Sequence, residues 1–342
     1  MTLLTLNIGS SSIKYAVFEF DCHPEQREGS PLNKIDSSVV PLPQNDISFI
    51  LKSILQKIPS PTCVAHRIVH GGTKYKTATL LNDAILNELD KLSPFAPLHQ
   101  PHNLNGVRIA QKLLTGIPQY GCFDTGFHAA HDELHSTFAI PKDLRDMGLK
   151  RYGFHGLSYE WIARQIPKHP RAVVAHLGSG ASLCALLNGK SIDSTMGLTA
   201  LDGLPMSTRS GSIDAGLVLY LAQNLNYTPA QIEDILYTKS GLLGLSEFSG
   251  DVKTLLASSD PRAKFALDYF TFKTAQHIAM MAVSLGGIDA LVFTGGVGEN
   301  AEPIRSAILK HLTLLPQFET LVIPTDEEQM MAIQIQGILH NA

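Results

Sequence analysis

The chain is poor in cysteine and spaces it without pattern. Its four cysteines, Cys22, Cys63, Cys122 and Cys184, stand among apolar neighbours with no C-x-x-C spacing. That argues against a disulfide framework or a zinc site and for the reduced, buried thiols of a cytoplasmic protein. No run of about 18 uncharged apolar residues exists, so no membrane-spanning helix is predicted. The first apolar run has no basic region before it and meets Asn7 and Gly9 within a few residues, which reads as a first strand and not as a signal peptide. Charge of one sign is scarce as well. Against 31 Asp and Glu there are 27 Lys and Arg, a formal charge of −4, and the basic residues are scattered, so no nucleic-acid footprint is expected. Neither a Walker Gly-x-x-x-x-Gly-Lys-Ser/Thr nor a Rossmann Gly-x-Gly-x-x-Gly occurs at a predicted strand-to-helix turn, which disfavours the two commonest nucleotide folds.

What the sequence does contain is three glycine-rich turns, each after a short apolar run. They are Asn7 to Ser12 after Leu3 to Leu6, His176 to Ser182 after Ala172 to Ala175, and Phe293 to Asn300 at the end of Ala290 to Phe293. Each is predicted to lie at the carboxyl end of a buried strand. Glycine lets the backbone approach a phosphate, and hydroxyls and unpaired N–H groups donate to it. One such turn is ordinary turn chemistry; three point to a nucleotide cleft.

With 342 residues the chain is long enough for two domains. Leu3 to Asn7 and Ile13 to Phe20 read as an antiparallel hairpin, and residues 21–46, rich in Pro, Ser and charge, as a surface connection. Apolar residues at 47, 50, 51, 54, 55 and 58 predict an amphipathic helix, with a buried strand at Cys63 to Val69 after it. Helical periodicity at Asn82 to Leu92 and Asn103 to Leu114 is split by three prolines in Ser93 to Pro101, a loop that carries His99. Tyr120 to Phe123 predicts a strand ending at Asp124. Ser158 is expected to cap a helix that runs to Gln165, and a run of helices is expected from Ala215 to Leu285. A second set of elements beginning near Arg171 hints at two related α/β halves. The boundary is placed near residue 128, giving domains 1–128 plus 327–342 and 129–326, with the last helix, Glu327 to Leu339, returning to the first.

These motifs, in this order, resemble the acetate kinase family of the acetate and sugar kinase, Hsp70 and actin superfamily. The matching segments are Asn7 to Tyr15, His66 to Gly72, Ala96 to His99, Phe123 to His128, Tyr152 to Gly156, His176 to Ser182, Thr208 to Gly211, Phe293 to Asn300 and Val322 to Glu328. They cover nearly the whole chain. The resemblance implies two ribonuclease-H-like (actin-like ATPase) α/β domains closing on a nucleotide cleft, a homodimer, and Mg²⁺-dependent transfer from ATP to acetate, with Mn²⁺ able to replace Mg²⁺.

The chemistry needs no general base, because acetate, with an acidity of roughly 4 to 5, is ionised at neutral pH. What it needs is positive charge, metal and alignment for an anion meeting a phosphate. Arginine meets that need with a planar fork. By resemblance, Arg67 and Arg209 attend the acetate and the transferring phosphoryl group, Asp124 and His155 join Arg209 in catalysis, and His99 is a second substrate contact. Val69, Leu98, Phe154 and Ala200 line the acyl pocket, while Asn7 and Glu327 are the metal-associated positions. Lys14, His176, Leu177, Gly178, Ser179, Gly180, Asp251, Val252, Lys253, Gly296, Val297, Gly298, Glu299 and Asn300 are the ATP-binding positions. His66, His70 and His128 are read as structural.

The chain departs from the family pattern in a few places. Ser179 stands for an expected Asn, Asp251-Val252-Lys253 for Asp-Phe-Arg, and Ala200 for a usual proline. Material is missing between Phe20 and Pro61 and between Asn300 and Val322. The room left at Ala200 leads to an expectation that propionate is used beside acetate. A propionate or butyrate kinase and a non-catalytic nucleotide-binding regulator on the same fold are the rival readings.

Overall fold

The computed structural model describes residues 1–9, 12–20, 32–41 and 47–340. In chain order β1 (Thr2–Ile8), β2 (Ser12–Glu19) and β3 (Asn33–Pro41) lead into α1 (Ile47–Leu55), β4 (Cys63–Ile68) and β5 (Thr79–Leu80). Next come α2 (Asp83–Asp90), α3 (Gln100–Leu113) and β6 (Gln119–Phe123), then short helices α4 (Glu133–Ser136) and α5 (Lys142–Asp146), and α6 (Gly156–Gln165). The chain goes on through β7 (Arg171–Leu177), β8 (Ala181–Leu187), β9 (Lys190–Ser194), α7 (Ala215–Gln223), α8 (Pro229–Thr238), α9 (Gly241–Ser246), α10 (Val252–Leu256) and α11 (Pro261–Ser284). It ends with β10 (Ala290–Thr294), α12 (Gly295–Asn300), α13 (Glu302–Lys310), β11 (Glu319–Val322) and α14 (Glu327–His340).

The chain divides into two units, one of Met1–Ala129, Phe154–Trp161 and Asp326–Ala342, the other of Ala130–Gly153 and Ile162–Thr325. The segment Phe154–Trp161, which the sequence reading left in the second domain, groups with the first unit. Each unit is built on one mixed sheet, in the orders β3-β2-β1-β4-β6-β5 and β11-β10-β7-β8-β9. The two repeat one topology: an antiparallel meander of three strands whose first member is continued by two parallel strands.

In the first unit the period of two along the strands sorts residues to opposite faces. Leu4, Leu6 and Ile8 pack with Ile47, Ile50, Leu51 and Ile54 of α1. Leu3, Ala16, Phe18, Cys63, Ala65 and Cys122 pack on the other face against Leu157 of α6 and Met330, Met331, Ala332 and Ile335 of α14. Covered on both faces, β1 reads as an almost continuous apolar run. Because β1, β4 and β6 are mutually parallel, their carboxyl ends share one edge. Asn7, Arg67 and Asp124 continue the alternation of Leu3, Ala65 and Cys122, so all three are directed to the α14 face at that edge.

Four expectations change. Residues 33–41 of the expected surface connection form strand β3, whose Ile35, Val39 and Val40 suit an edge strand pairing with β2; residues 21–31 and 42–46 lie outside the described residues, as do Ser10, Ser11 and Cys22. The third glycine-rich turn is helical, since β10 runs directly into α12, with Gly295 at φ 76° making the corner. Ser158 does not cap α6 but is fully buried within its first turn. The helix starts earlier because the Gly156 N–H donates to the Asp124 carbonyl at 3.0 Å, an approach that a Cβ, 2.0 Å from that oxygen, would forbid. The helix expected from Asn103 begins at Gln100, with Pro101 in its first turn. Among the described residues no helix is long and apolar enough to cross a membrane, and Cys63, Cys122 and Cys184 are buried free thiols.

Candidate active site

In the first unit the ends of β1, β4 and β6 and the start of α14 bring one cation and two carboxylates together. Arg67 Nη2 lies 2.7 Å from Asp124 Oδ2, and its Nε is 3.1 Å from Oδ1. Arg67 Nη1 donates to Glu327 Oε2 at 2.8 Å, and Asn7 Nδ2 donates to the same oxygen at 3.1 Å. Asp124 is 1 % exposed, Glu327 6 % and Asn7 8 %. Three of the five guanidinium N–H groups are thereby committed to carboxylates of this unit, and two are not.

Burial disfavours the Arg67 cation, but the charges of Asp124 and Glu327 outweigh it and raise its pKa further. Asp124 is pushed up to about 6 by burial, with the Arg67 charge holding it from rising more and Glu327 adding to the rise. It is therefore ionised at neutral pH, and its carboxylate also accepts the backbone N–H of His155. His155 itself sits at φ 56°, a left-handed conformation that costs a residue with a Cβ about 1–2 kcal/mol.

Around this cluster, Lys14 is exposed on β2 directly opposite Asn7 in the hairpin register. Val69 follows β4 and is 6 % exposed, and Phe154 is 1 % exposed beside His155. Leu98 and His99 precede α3, His99 at its cap position. The hydrogen bonds of the Arg67 cluster described above involve neither of them.

In the second unit the parallel pair β7 and β10 carries His176 and Thr294 in register, which sets the second and third glycine-rich segments side by side. A Cβ on Gly295 would lie 2.8 Å from the Leu177 carbonyl. Gly178 N–H donates to the Gly180 carbonyl at 3.0 Å, and Ser207 N–H donates to the Ser179 carbonyl at 3.2 Å, tying the loop that holds Arg209 to the second glycine-rich turn. Ser207 Oγ donates in turn to the Gly250 carbonyl at 2.9 Å, which brings Asp251, Val252 and Lys253 alongside. Asp251 caps α10, its Oδ1 accepting the Thr254 N–H at 2.7 Å. In α12 a Cβ on Gly296 would meet nothing within 4 Å, while Gly298 is buried against β7 and β10, and Glu299 Oε1 accepts from Gly295 N–H at 2.9 Å and Thr325 N–H at 3.1 Å. Asn300 Nδ2 donates to the Gly296 carbonyl at 2.9 Å. Glu299 Oε1 and Asn300 Nδ2 thus shape the turn.

Arg209 is 7 % exposed, and its one side-chain hydrogen bond within this unit runs from Nη1 to the Ala200 carbonyl at 2.7 Å. Burial lowers its pKa to about 10, so it stays charged at neutral pH. Among the described residues of its own unit no carboxylate pairs with it. A buried cation left without an anion is costly unless something supplies one.

Sequence reasoning missed two buried amides on α3. Asn103 Oδ1 accepts the Val69 N–H at 3.1 Å and its Nδ2 donates to the Ile8 carbonyl at 2.7 Å, joining the ends of β4 and β1. Gln100 Oε1 accepts the His70 N–H at 3.0 Å and its Nε2 donates to the His70 carbonyl at 3.0 Å. The available signal was that both stand on the helical stripe of Leu104, Val107 and Ala110, where an amide has to be there for hydrogen bonding.

Among the described residues no group of three or more His, Cys, Asp or Glu side chains converges as a metal cage. The adjacent Asn7 amide and Glu327 carboxylate are a sparse oxygen-donor set, which fits a hard divalent ion that keeps several waters and phosphate oxygens.

A family profile described as the Acetokinase family matches residues 2–318. An acetate kinase of Nitrobacter hamburgensis is 40% identical over 394 aligned positions, covering 99% of this chain and 96% of that protein. A propionate kinase structure from Francisella tularensis superposes with a TM-score of 0.85 at 32% identity, covering 97% of this chain and 98% of that one. An acetate kinase structure from Porphyromonas gingivalis gives 0.81 at 30% identity, covering 98% of this chain and 99% of that one.

Proposed function

The chain belongs to the acetokinase family, and from that premise we propose that it is an acetate kinase. It moves the γ-phosphoryl group of ATP reversibly onto acetate by direct in-line transfer, giving acetyl phosphate and ADP. The observation that carries this reading is the buried Arg67 cluster, in which Asp124, Glu327 and Asn7 all meet one guanidinium or one another.

In that cluster Arg67 receives the acetate carboxylate on its two uncommitted N–H groups, with Asp124 fixing the plane of the fork. Val69, Leu98, Phe154 and Ala200 shelter the methyl group, and His99 closes on the carboxylate. Asn7 and Glu327 hold Mg²⁺, which when bound to ATP neutralises phosphate charge. Lys14 and the backbone of Gly178, Ser179, Gly180, Gly296, Val297 and Gly298 take the phosphates, next to His176 and Leu177. Asp251, Val252 and Lys253 take the nucleoside, and Glu299 and Asn300 hold the turn. Arg209 offers its unpaired charge to the transferring phosphoryl group, and His155 donates an N–H to the charge that develops there.

Two further readings have specific support. The small side chain of Ala200 leaves room for propionate, since a methylene is worth only about 1–3 kcal/mol of discrimination. A homodimer is supported by the exposed apolar residues of α7 and α11, where Leu219, Tyr220, Phe265 and Val283 are 56%, 53%, 57% and 80% exposed. Buried reduced thiols suit a cytoplasmic enzyme.

The deciding experiment traps acyl phosphate as hydroxamate from Mg·ATP with acetate, propionate and butyrate in turn. Product with acetate is expected, with the propionate kcat/KM within about a hundredfold of it. Folded, ATP-binding protein that forms no acyl phosphate from any acid would overturn the kinase reading in favour of a regulator. Light scattering of the purified protein tests the dimer.

A further inference from the structure

His128 is fully buried, and no step of the chemistry above uses it. Its Nε2 lies 2.9 Å from the carbonyl oxygen of Phe154. A carbonyl can only accept, so Nε2 carries the hydrogen and the ring is the Nε2–H tautomer. That carbonyl and the N–H of His155 are the two ends of a single planar peptide group. The N–H end donates to the Asp124 carboxylate. His128 ends the short turn Gly126–His128 and Asp124 lies two residues before it, so two side chains of one short stretch of chain grip both ends of the peptide leading into His155.

The grip acts where the backbone has least freedom. His155 adopts φ 56°, a region a residue with a Cβ occupies only when its surroundings hold it there. The next amide, Gly156 N–H, donates to the Asp124 carbonyl. Tyr159 completes the setting. Its ring meets His128 edge-on at 5.7 Å and His155 edge-on at 6.5 Å, and its N–H donates to the His155 carbonyl at 3.0 Å.

We propose that His128 is a positioning residue: together with Asp124 it clamps the Phe154–His155 peptide and so sets the direction in which the His155 ring is presented to the reacting groups. The inference rests on the reading of His155 as the group that donates to developing charge. Gln places its amide nitrogen near the position of Nε2, whereas Met removes the donor and keeps comparable bulk.

Hydrogen exchange of the full-length protein at the His155 and Gly156 amides, read with hydroxamate kinetics, tests it. In His128→Met these amides are expected to exchange about tenfold faster or more. The kcat should fall roughly ten- to hundredfold, with KM for ATP unchanged within about twofold, and His128→Gln should restore both. In a His155→Ala background, His128→Met should cause no further loss of kcat. If His155→Ala leaves kcat unchanged, the role given to His155 fails, while the exchange data still decide the clamp. Unchanged exchange in folded His128→Met, or a loss of kcat that multiplies with that of His155→Ala, overturns the clamp. Should His128→Met not fold, His128→Asn, too short to reach the carbonyl, takes its place.

Discussion

Arg67 and Asp124 stand on neighbouring parallel strands as a two-point ion pair, Nη2 to Oδ2 at 2.7 Å and Nε to Oδ1 at 3.1 Å, and Glu327 takes Nη1 of the same guanidinium at 2.8 Å. An arginine kept only to meet an incoming anion would matter more to catalysis than to folding. For Arg67 the geometry says otherwise. Removing it leaves two buried carboxylates facing each other without a cation. Breaking a buried pair in this way costs about 3–5 kcal/mol. Arg67→Leu should therefore lose activity and lower the urea midpoint together, whereas Arg67→Lys, which keeps the charge and loses the fork, should keep more stability than activity. An Arg67→Leu protein as stable as the parent would show that the ion pair contributes nothing to the fold.

Arg209 is the contrasting case. It is buried where Arg67 is partly exposed, yet has no carboxylate partner in its own unit, so its desolvation is not offset there. Arg209→Met is expected to leave the urea midpoint unchanged or raise it, by about 1 kcal/mol at most, while kcat falls by roughly a hundredfold or more. The pair of measurements separates an arginine kept for an external anion from one that holds the fold. A large fall in stability with modest loss of kcat would reverse the assignment.

Much of this arrangement was legible in residue order. An apolar run ending in Asn7, another ending near Arg67 and a third ending at Asp124 already placed polar groups at strand ends, but the face each takes follows only once Leu3, Ala65 and Cys122 are seen to pack together. That β1, β4 and β6 share an edge needed the parallel pairing, which no local pattern carries. The partner of Arg67 across 260 residues of chain, Glu327, could be given a role by resemblance, but its contact depends on α14 packing over β1 and β4. The start of α6 was misplaced because Ser158 looks like a cap, while the real constraint is a close approach between Gly156 and the Asp124 carbonyl. Gln100 was passed over because it was placed in the proline loop, and Asn103 because it stood only as the first residue of the helix, so neither amide was set on the apolar stripe.

Gly156 gives a prediction of its own. A Cβ there would lie 2.0 Å from the Asp124 carbonyl oxygen and 3.0 Å from its carbonyl carbon, and backbone cannot yield as a side-chain tip can. Gly156→Ala must push the His155–Gly156 segment away from Asp124, breaking the 3.0 Å bond between them. A misplacement of about 1 Å is enough to cost roughly a hundredfold in rate, so kcat should collapse even where circular dichroism shows the helices intact. Activity near that of the parent would mean that Asp124 does not set the position of His155.

The buried histidines are expected to limit stability in acid. Burial lowers His66, His70 and His128 from 6.5 to about 4. Each therefore contributes stability that is fully present above 6.5 and is lost as pH falls through about 4, because the unfolded chain binds a proton that the folded one refuses. Asp124 works the other way. Raised from 3.8 to about 6, its contribution is fully present below 3.8 and is lost as pH rises through 6. Between about pH 4 and 6 three protons favour the unfolded state and one the folded state, so stability should climb with pH, with an upper bound of roughly 3 kcal/mol per pH unit. Above 6.5 none of these four groups adds to the slope. Urea midpoints taken at intervals across this range should show the climb and the plateau. In His66→Gln, which removes one of the three histidines, the climb should be shallower by at most about 1.4 kcal/mol per pH unit. A flat or falling curve below pH 6 would mean that Asp124 and not the histidines governs acid unfolding.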